Sequence, residues 1–193
     1  MQHPGEIMAL ATVVMVVIAI GGYFITIYNS LVALKNSVGK SWANIDVLLK
    51  QRHDELPKLV STCEGYMQHE RAVFDKLSEA RGALVRARNL TERAQAENQL
   101  TGALGQFFAV AEAYPTLKAD QSFLQLQSRI SELENQIADR REFYNDTVTA
   151  FNTRIQQLPD SFVAGWLSLQ AAELFKVDEA DRRDVEIKFA AAS

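Results

Sequence analysis

From Ile7 to Ile27 the chain reads IMALATVVMVVIAIGGYFITI, with no charged residue and only Thr12 and Thr26 as clear polar interruptions. At about 1.5 Å per residue a helix of that length covers roughly the 30 Å of membrane hydrocarbon. A helix is also the form that satisfies every backbone group there. Beyond the run the apolar positions thin to one stripe, Leu31, Leu34, Val38, Trp42, Ile45 and Leu48 or Leu49. Steps of three and four residues mark one helix face, so the first helix is expected to run unbroken from the apolar run into the following domain.

The same periodicity predicts three further helices. QRHDELP, residues 51–57, collects polar residues around a proline, and Asp54 is expected to cap a second helix with Pro57 in its first turn. That helix places Leu56, Leu59, Val60, Cys63, Phe74 and Leu77 on one side and ends near Ala87. Asn89 to Thr91 is a stop signal, with Thr91 the expected cap of a third helix that carries Leu100, Leu104, Phe107, Ala111 and Tyr114 to Pro115. The fourth stripe runs Phe123, Leu126, Ile130, Leu133, Ile137, Arg140, Tyr144, Thr147, Phe151, Ile155, Leu158. A stripe so long needs partner helices to bury it.

Short polar turns between amphipathic helices predict an all-α fold: one transmembrane helix, then an antiparallel up-and-down four-helix bundle with long helices. The expected organisation is a short extracytoplasmic N-terminus (1–6), the span (7–27), the bundle (28–160), an apolar membrane-proximal segment (161–175) and a charged tail (176–193). In that topology the turn carrying Arg86, Arg88 and Arg93 faces the bilayer, either as a basic contact to anionic lipid or as an ordinary solvated turn. SFVAGWLSLQAAELF, residues 161–175, is too short to span. Its Phe162, Trp166, Leu167 and Phe175 suit either the membrane interface or a cap on the bundle core. The tail alternates Val185, Glu186, Ile187, Lys188 and Phe189, which fits an added strand, although its charged composition favours disorder.

Charge adds direction. Only Glu6 among the charged residues precedes residue 28, whereas Lys35, Lys40, Lys50 and Arg52 follow the span, so the positive-inside bias places the C-terminal domain in the cytoplasm. No basic residue precedes the run and no small-x-small pattern closes it, which argues against a cleaved leader. The chain of 193 residues has a net charge of −4, which gives no support to nucleic-acid binding. One cysteine, Cys63, cannot close an intrachain disulfide.

Candidate chemistry is sparse. His53-Asp54-Glu55 and His69-Glu70 are the places where histidine meets carboxylates, and about 15 helical residues, roughly 22 Å, separate them. Neither a zinc spacing nor a Glu-x-x-His pair for a di-iron site occurs, so no metal or other cofactor is expected. Nucleophile and phosphate-binding motifs are likewise missing. Arg140, at a stripe position, is expected to pair with a carboxylate such as Glu70 and fix helix register.

In order along the chain, YNSLV (28–32), SWANIDVLLKQRHDELPKLV (41–60), GYMQHE (65–70), ALGQFFAVAEAYPTLKAD (103–120), FLQLQSRISELENQIADRREFYNDTVTAFNTRI (123–155), Leu158-Pro159 and the ending LFKVDEADRRDVEIKF resemble the LemA family of bacterial membrane proteins. Cys63-Glu64 and Gln136 depart from the family's usual residues. The resemblance implies a single anchor, a cytoplasmic helical bundle and an accessory or scaffolding role with no established enzyme activity. Expected partners are membrane lipid, an unidentified membrane or cytoplasmic protein, or a second copy of the chain, at the bacterial inner membrane with the N-terminus outside. A membrane-state sensor is the alternative role, and a membrane-bound hydrolase is the least favoured.

Overall fold

The computed structural model of the chain describes residues 4–175 and is all-α, with no strand among the described residues. The helices are α1 (Pro4–Cys63), α2 (Arg71–Arg86), α3 (Leu90–Ala111), α4 (Pro115–Lys118), α5 (Gln121–Gln156) and α6 (Asp160–Trp166). The tail 176–193 lies outside the described residues.

Two helix boundaries differ from the sequence expectation. The first helix does not break at residues 51–57 but carries Pro57 in its interior and ends at Cys63. An interior proline removes one backbone hydrogen bond. Leu56, Leu59 and Cys63 lie on one face at 1 %, 0 % and 0 % exposure, and burying each leucine contributes about 1.5–3 kcal/mol, enough to carry the helix through. The cap of α3 is Asn89 rather than Thr91: Asn89 Oδ1 accepts from the Glu92 amide at 2.8 Å, and Glu92 Oε2 accepts from the Arg88 amide at 2.8 Å. This reciprocal arrangement is the capping-box solution to the orphan donors of a first turn. Asp120 does the same for α5, accepting from the Ser122 and Phe123 amides.

The described chain divides into two compact units. One unit comprises residues 45–141 with Phe175 and is a four-helix bundle of the later part of α1, α2, α3 and the first part of α5. Side-chain contacts between the helices give its directions. Arg93–Asp46 and Arg52–Thr101 make α1 and α3 parallel. Glu70–Tyr114 and Lys76–Gln106 set α2 antiparallel to α3, Glu134–Thr101 and Arg141–Asn98 set α5 antiparallel to α3, and His53–Arg81 and Arg129–Gln51 join α2 and α5 to α1. The up-and-down order therefore holds in this unit. Its core joins Leu56, Leu59 and Met67 to Leu77, Leu100, Leu104, Phe107, Leu117, Phe123 and Ile130. Phe107 meets Phe74 and Phe108 edge-on, with ring centroids 5.6 and 5.8 Å apart, the arrangement favoured by the aromatic quadrupole.

The other unit comprises the chain up to Asn44 and residues 142–174. Every side chain described from Ile7 to Thr26 is exposed, and burial begins at Ile27. Ile27 and Leu31 of α1 pack with Val163 and Ala164 of α6, supported by Ile155, Leu167 and Leu169. Trp42 meets Tyr144 edge-on at 5.7 Å.

Candidate functional site

Two features stand apart from ordinary helix packing, one in each unit. In the four-helix bundle, Arg52 is fully buried. Its position follows from spacing: Ile45, Leu49, Arg52, Leu56, Leu59 and Cys63 advance by steps of three and four, so the guanidinium occupies a core position of α1. Nη2 donates to Glu97 Oε2 and Nη1 to Glu134 Oε1, while Nη1 also reaches Thr101 Oγ1 at 3.0 Å. The Thr101 hydroxyl donates to Glu134 Oε2 at 3.0 Å. One cation thus ties α1 to α3 and α5 through two carboxylates and a hydroxyl. Burial pushes the Glu97 carboxyl up, and Arg52, Arg141 and Arg93 oppose that shift.

Arg141 extends the polar layer. Its Nη1 donates to Asn98 Oδ1 at 3.2 Å, and its guanidinium carbon lies 4.5 Å from the centroid of the Phe175 ring, a cation–π contact. Phe175 is 1 % exposed and is a core residue of this unit. The arginine at the polar stripe position is Arg141, four residues after Ile137. Arg140 is exposed. The Glu70–Arg140 register pair is therefore replaced: Glu70 accepts from the Tyr114 hydroxyl at 3.0 Å, and Arg52 makes the buried ion pairs. The stripe of α5 follows Ile130, Leu133, Ile137, Tyr144, Val148 and Phe151, which turns residues 140 and 147 off its centre.

In the turn between α2 and α3, Arg93 pairs with Asp46, while Arg86 and Arg88 are exposed. A cleft of about 280 Å³ beside Arg93 is lined by Asp46, Lys50, His53 and Glu97 among others, charges of both signs that offset one another.

In the unit that holds the apolar run, α6 has two unlike faces. Asp160, Val163 and Ala164 are buried at 6 %, 5 % and 3 %, with Asp160 accepting from Arg154 Nε. Phe162 and Trp166, one turn apart on the opposite side, are 69 % and 79 % exposed, and Leu158 is 74 % exposed. Leu167 is half-buried against the Ile27 cluster. After α6 the chain is held along α5: Asn152 Nδ2 donates to the Ala172 carbonyl at 2.9 Å and its Oδ1 accepts from the Ala172 amide at 2.8 Å. The Tyr144 hydroxyl donates to the Glu173 carbonyl at 2.9 Å. These bonds fix the direction in which α6 presents Phe162 and Trp166.

Conventional catalytic groups are held inert or apart. Burial pushes the Cys63 thiol up to about 12, and Asp120 adds to the shift. His53 is lowered by partial burial and by Arg81, whose Nε donates to His53 Nε2 at 3.3 Å. His69 is exposed in the turn after α1. Among the described residues no three His, Cys, Asp or Glu side chains group to hold a metal ion.

A helical bundle with a buried arginine cluster, on a chain whose first helix is apolar, exposed and long enough to cross a membrane, defines a class of helical proteins with one membrane-length segment. The LemA family model matches residues 41–189, and the chain belongs to the LemA family. It is similar to the protein LemA of Metamycoplasma hominis, with 28 % identity over 170 residues covering 86 % of this chain and 78 % of that protein. It is also similar to magnetosome protein MamQ 2 of Paramagnetospirillum magneticum, with 24 % identity over 199 residues, 89 % of this chain and 73 % of the relative. Magnetosome protein MamQ of Magnetospirillum gryphiswaldense is 22 % identical over 174 residues, 77 % of this chain and 64 % of that protein.

Proposed function

We propose that this LemA-family chain is a single-pass protein of the bacterial inner membrane whose helical bundle serves as a non-catalytic scaffold on the cytoplasmic side. The observation that carries the reading is the exposure of every described side chain from Ile7 to Thr26. A soluble core helix would hide such a run, and bare apolar surface of that extent requires lipid. Lys35, Lys40 and Lys50 after the run support the cytoplasmic side. Magnetosome proteins among the relatives are consistent with this reading.

The polar chemistry favours a scaffold over an enzyme. Arg52 has its two carboxylates inside the bundle, where they link helices. Cys63 is a buried neutral thiol and not a poised nucleophile. Photocrosslinking in native membranes tests the proposal, with a photoreactive residue at Val47 or Val85, which are 56 % and 76 % exposed on the bundle. Reproducible capture of one defined protein, or of a second copy, is expected. Capture of lipid alone from both positions removes the scaffold reading.

A further inference from the structure

Among the described residues, the α6 face that carries Phe162 and Trp166 is exposed. We propose that this face docks into the headgroup interface of the bilayer crossed by α1, forming a second membrane contact beside the span. The inference rests on the reading of α1 as a membrane span. Four observations, all within one unit, support it.

The first is level. The buried side of α6, Val163 and Ala164, packs on Ile27 and Leu31, where the apolar run ends and burial begins. A bilayer around Ile7–Ile27 therefore has its boundary where α6 sits. The second is orientation. With Val163 and Ala164 facing inward, Phe162 and Trp166 at i and i+4 share the outward side. Asp160–Arg154 at one end and the Asn152 bonds to Ala172 beyond the other hold that side outward.

The third is chemistry. Tryptophan combines a broad apolar ring with an N–H donor, and such rings collect at the membrane–water boundary. Tyr23, Phe24 and Tyr28 of α1, exposed at 55 %, 43 % and 39 %, place more aromatic rings at this end of the run. The fourth is extent. Leu158, Phe162 and Trp166 leave apolar surface exposed in the same unit as the exposed run of α1 up to Ile25. Lipid is the occupant consistent with all four. A protein partner would account for the exposed rings but not for their level at the end of the span.

Tryptophan fluorescence of the full chain in phospholipid vesicles tests the docking. Trp42, packed edge-on against Tyr144, is present in every sample and serves as the internal reference. Lipids brominated near the carboxyl end of the acyl chain should quench part of the emission more than lipids brominated near the terminal methyl. That order corresponds to a depth of about 5–10 Å into the headgroup–acyl boundary. Trp166→Phe should abolish the quenched component, and Phe162→Ser should weaken it while leaving the chain membrane-bound. A Trp166 component that bromine does not affect and aqueous iodide quenches freely would overturn the docking, provided that an alkaline carbonate wash leaves the chain in the vesicles. Release of the chain by that wash would overturn the span itself and the docking with it.

Discussion

The two units invert each other's polarity. The four-helix bundle places the Arg52 guanidinium and the Glu97 carboxylate in its interior, at 0 % and 2 % exposure, with Glu134 half-buried beside them. The unit containing the apolar run places aliphatic and aromatic side chains outside, from Ile7 to Ile25 and again at Phe162 and Trp166. Each arrangement is costly in water alone. Buried charges must find partners of fixed geometry. Exposed apolar surface must find a non-aqueous neighbour. The polar interior therefore specifies the fold, and the apolar exterior specifies the surroundings.

The largest effect is expected from breaking the polar interior. Arg52→Met leaves Glu97 buried without its principal partner and should lower stability by about 3–5 kcal/mol, measured by denaturant unfolding of the full chain in detergent. Arg52→Met with Glu97→Leu and Glu134→Leu should recover most of that loss. If it does not, the cluster contributes stability as well as register.

The burial of Cys63 gives a sharper probe of the same core. A thiol at about 12 rather than its ordinary 9.0 holds about a thousandfold less thiolate near neutral pH, so alkylation of the folded chain should be at least about 100-fold slower than of the denatured chain. The sign of the linkage follows. A raised folded value leaves the thiol's contribution to stability intact below pH 9.0 and removes it as pH climbs towards about 12. Cys63→Ala should therefore flatten the alkaline loss of stability relative to the native chain.

In the other unit, Asn152→Ala removes both hydrogen bonds to Ala172. A loss of about 1–2 kcal/mol is expected, seen as faster hydrogen exchange at the Ala172 amide with the bundle amides unchanged. Slowed exchange at Ala172 would mean that something other than Asn152 holds the segment after α6. The smallest effect belongs to Arg140→Leu. This exposed side chain should change stability by less than about 0.5 kcal/mol, and a larger loss would return Arg140 to the register role that Arg52 takes here.

Periodicity made much of this legible. The apolar run, the all-α class, the up-and-down order of the bundle and its leucine and phenylalanine core all follow from steps of three and four residues. The same spacing rule places Arg52 between Leu49 and Leu56 on the core stripe, so its burial was readable in principle. Its polar neighbours Gln51, His53 and Asp54 made the stretch look like a turn, and Pro57 strengthened that impression. Arg140 misled for the opposite reason. In a helix of 36 residues the stripe drifts, and a difference of one position separates a half-buried arginine from an exposed one.

The sequence by itself determined which segments are helical and that one of them is suited to lipid, because hydrophobic spacing and length are local properties of the chain. Tertiary structure alone decided which carboxylates meet Arg52, because Glu97 and Glu134 lie 45 and 82 residues away and no local pattern couples them. It also divided one apolar segment between two environments. Val163 and Ala164 enter the interior of one unit and Phe175 that of the other, while Phe162 and Trp166 stay exposed, and the hydrogen bonds of Asn152 and Tyr144 hold the backbone after α6 along α5. That placement depends on pairing between distant positions, which composition and periodicity do not encode.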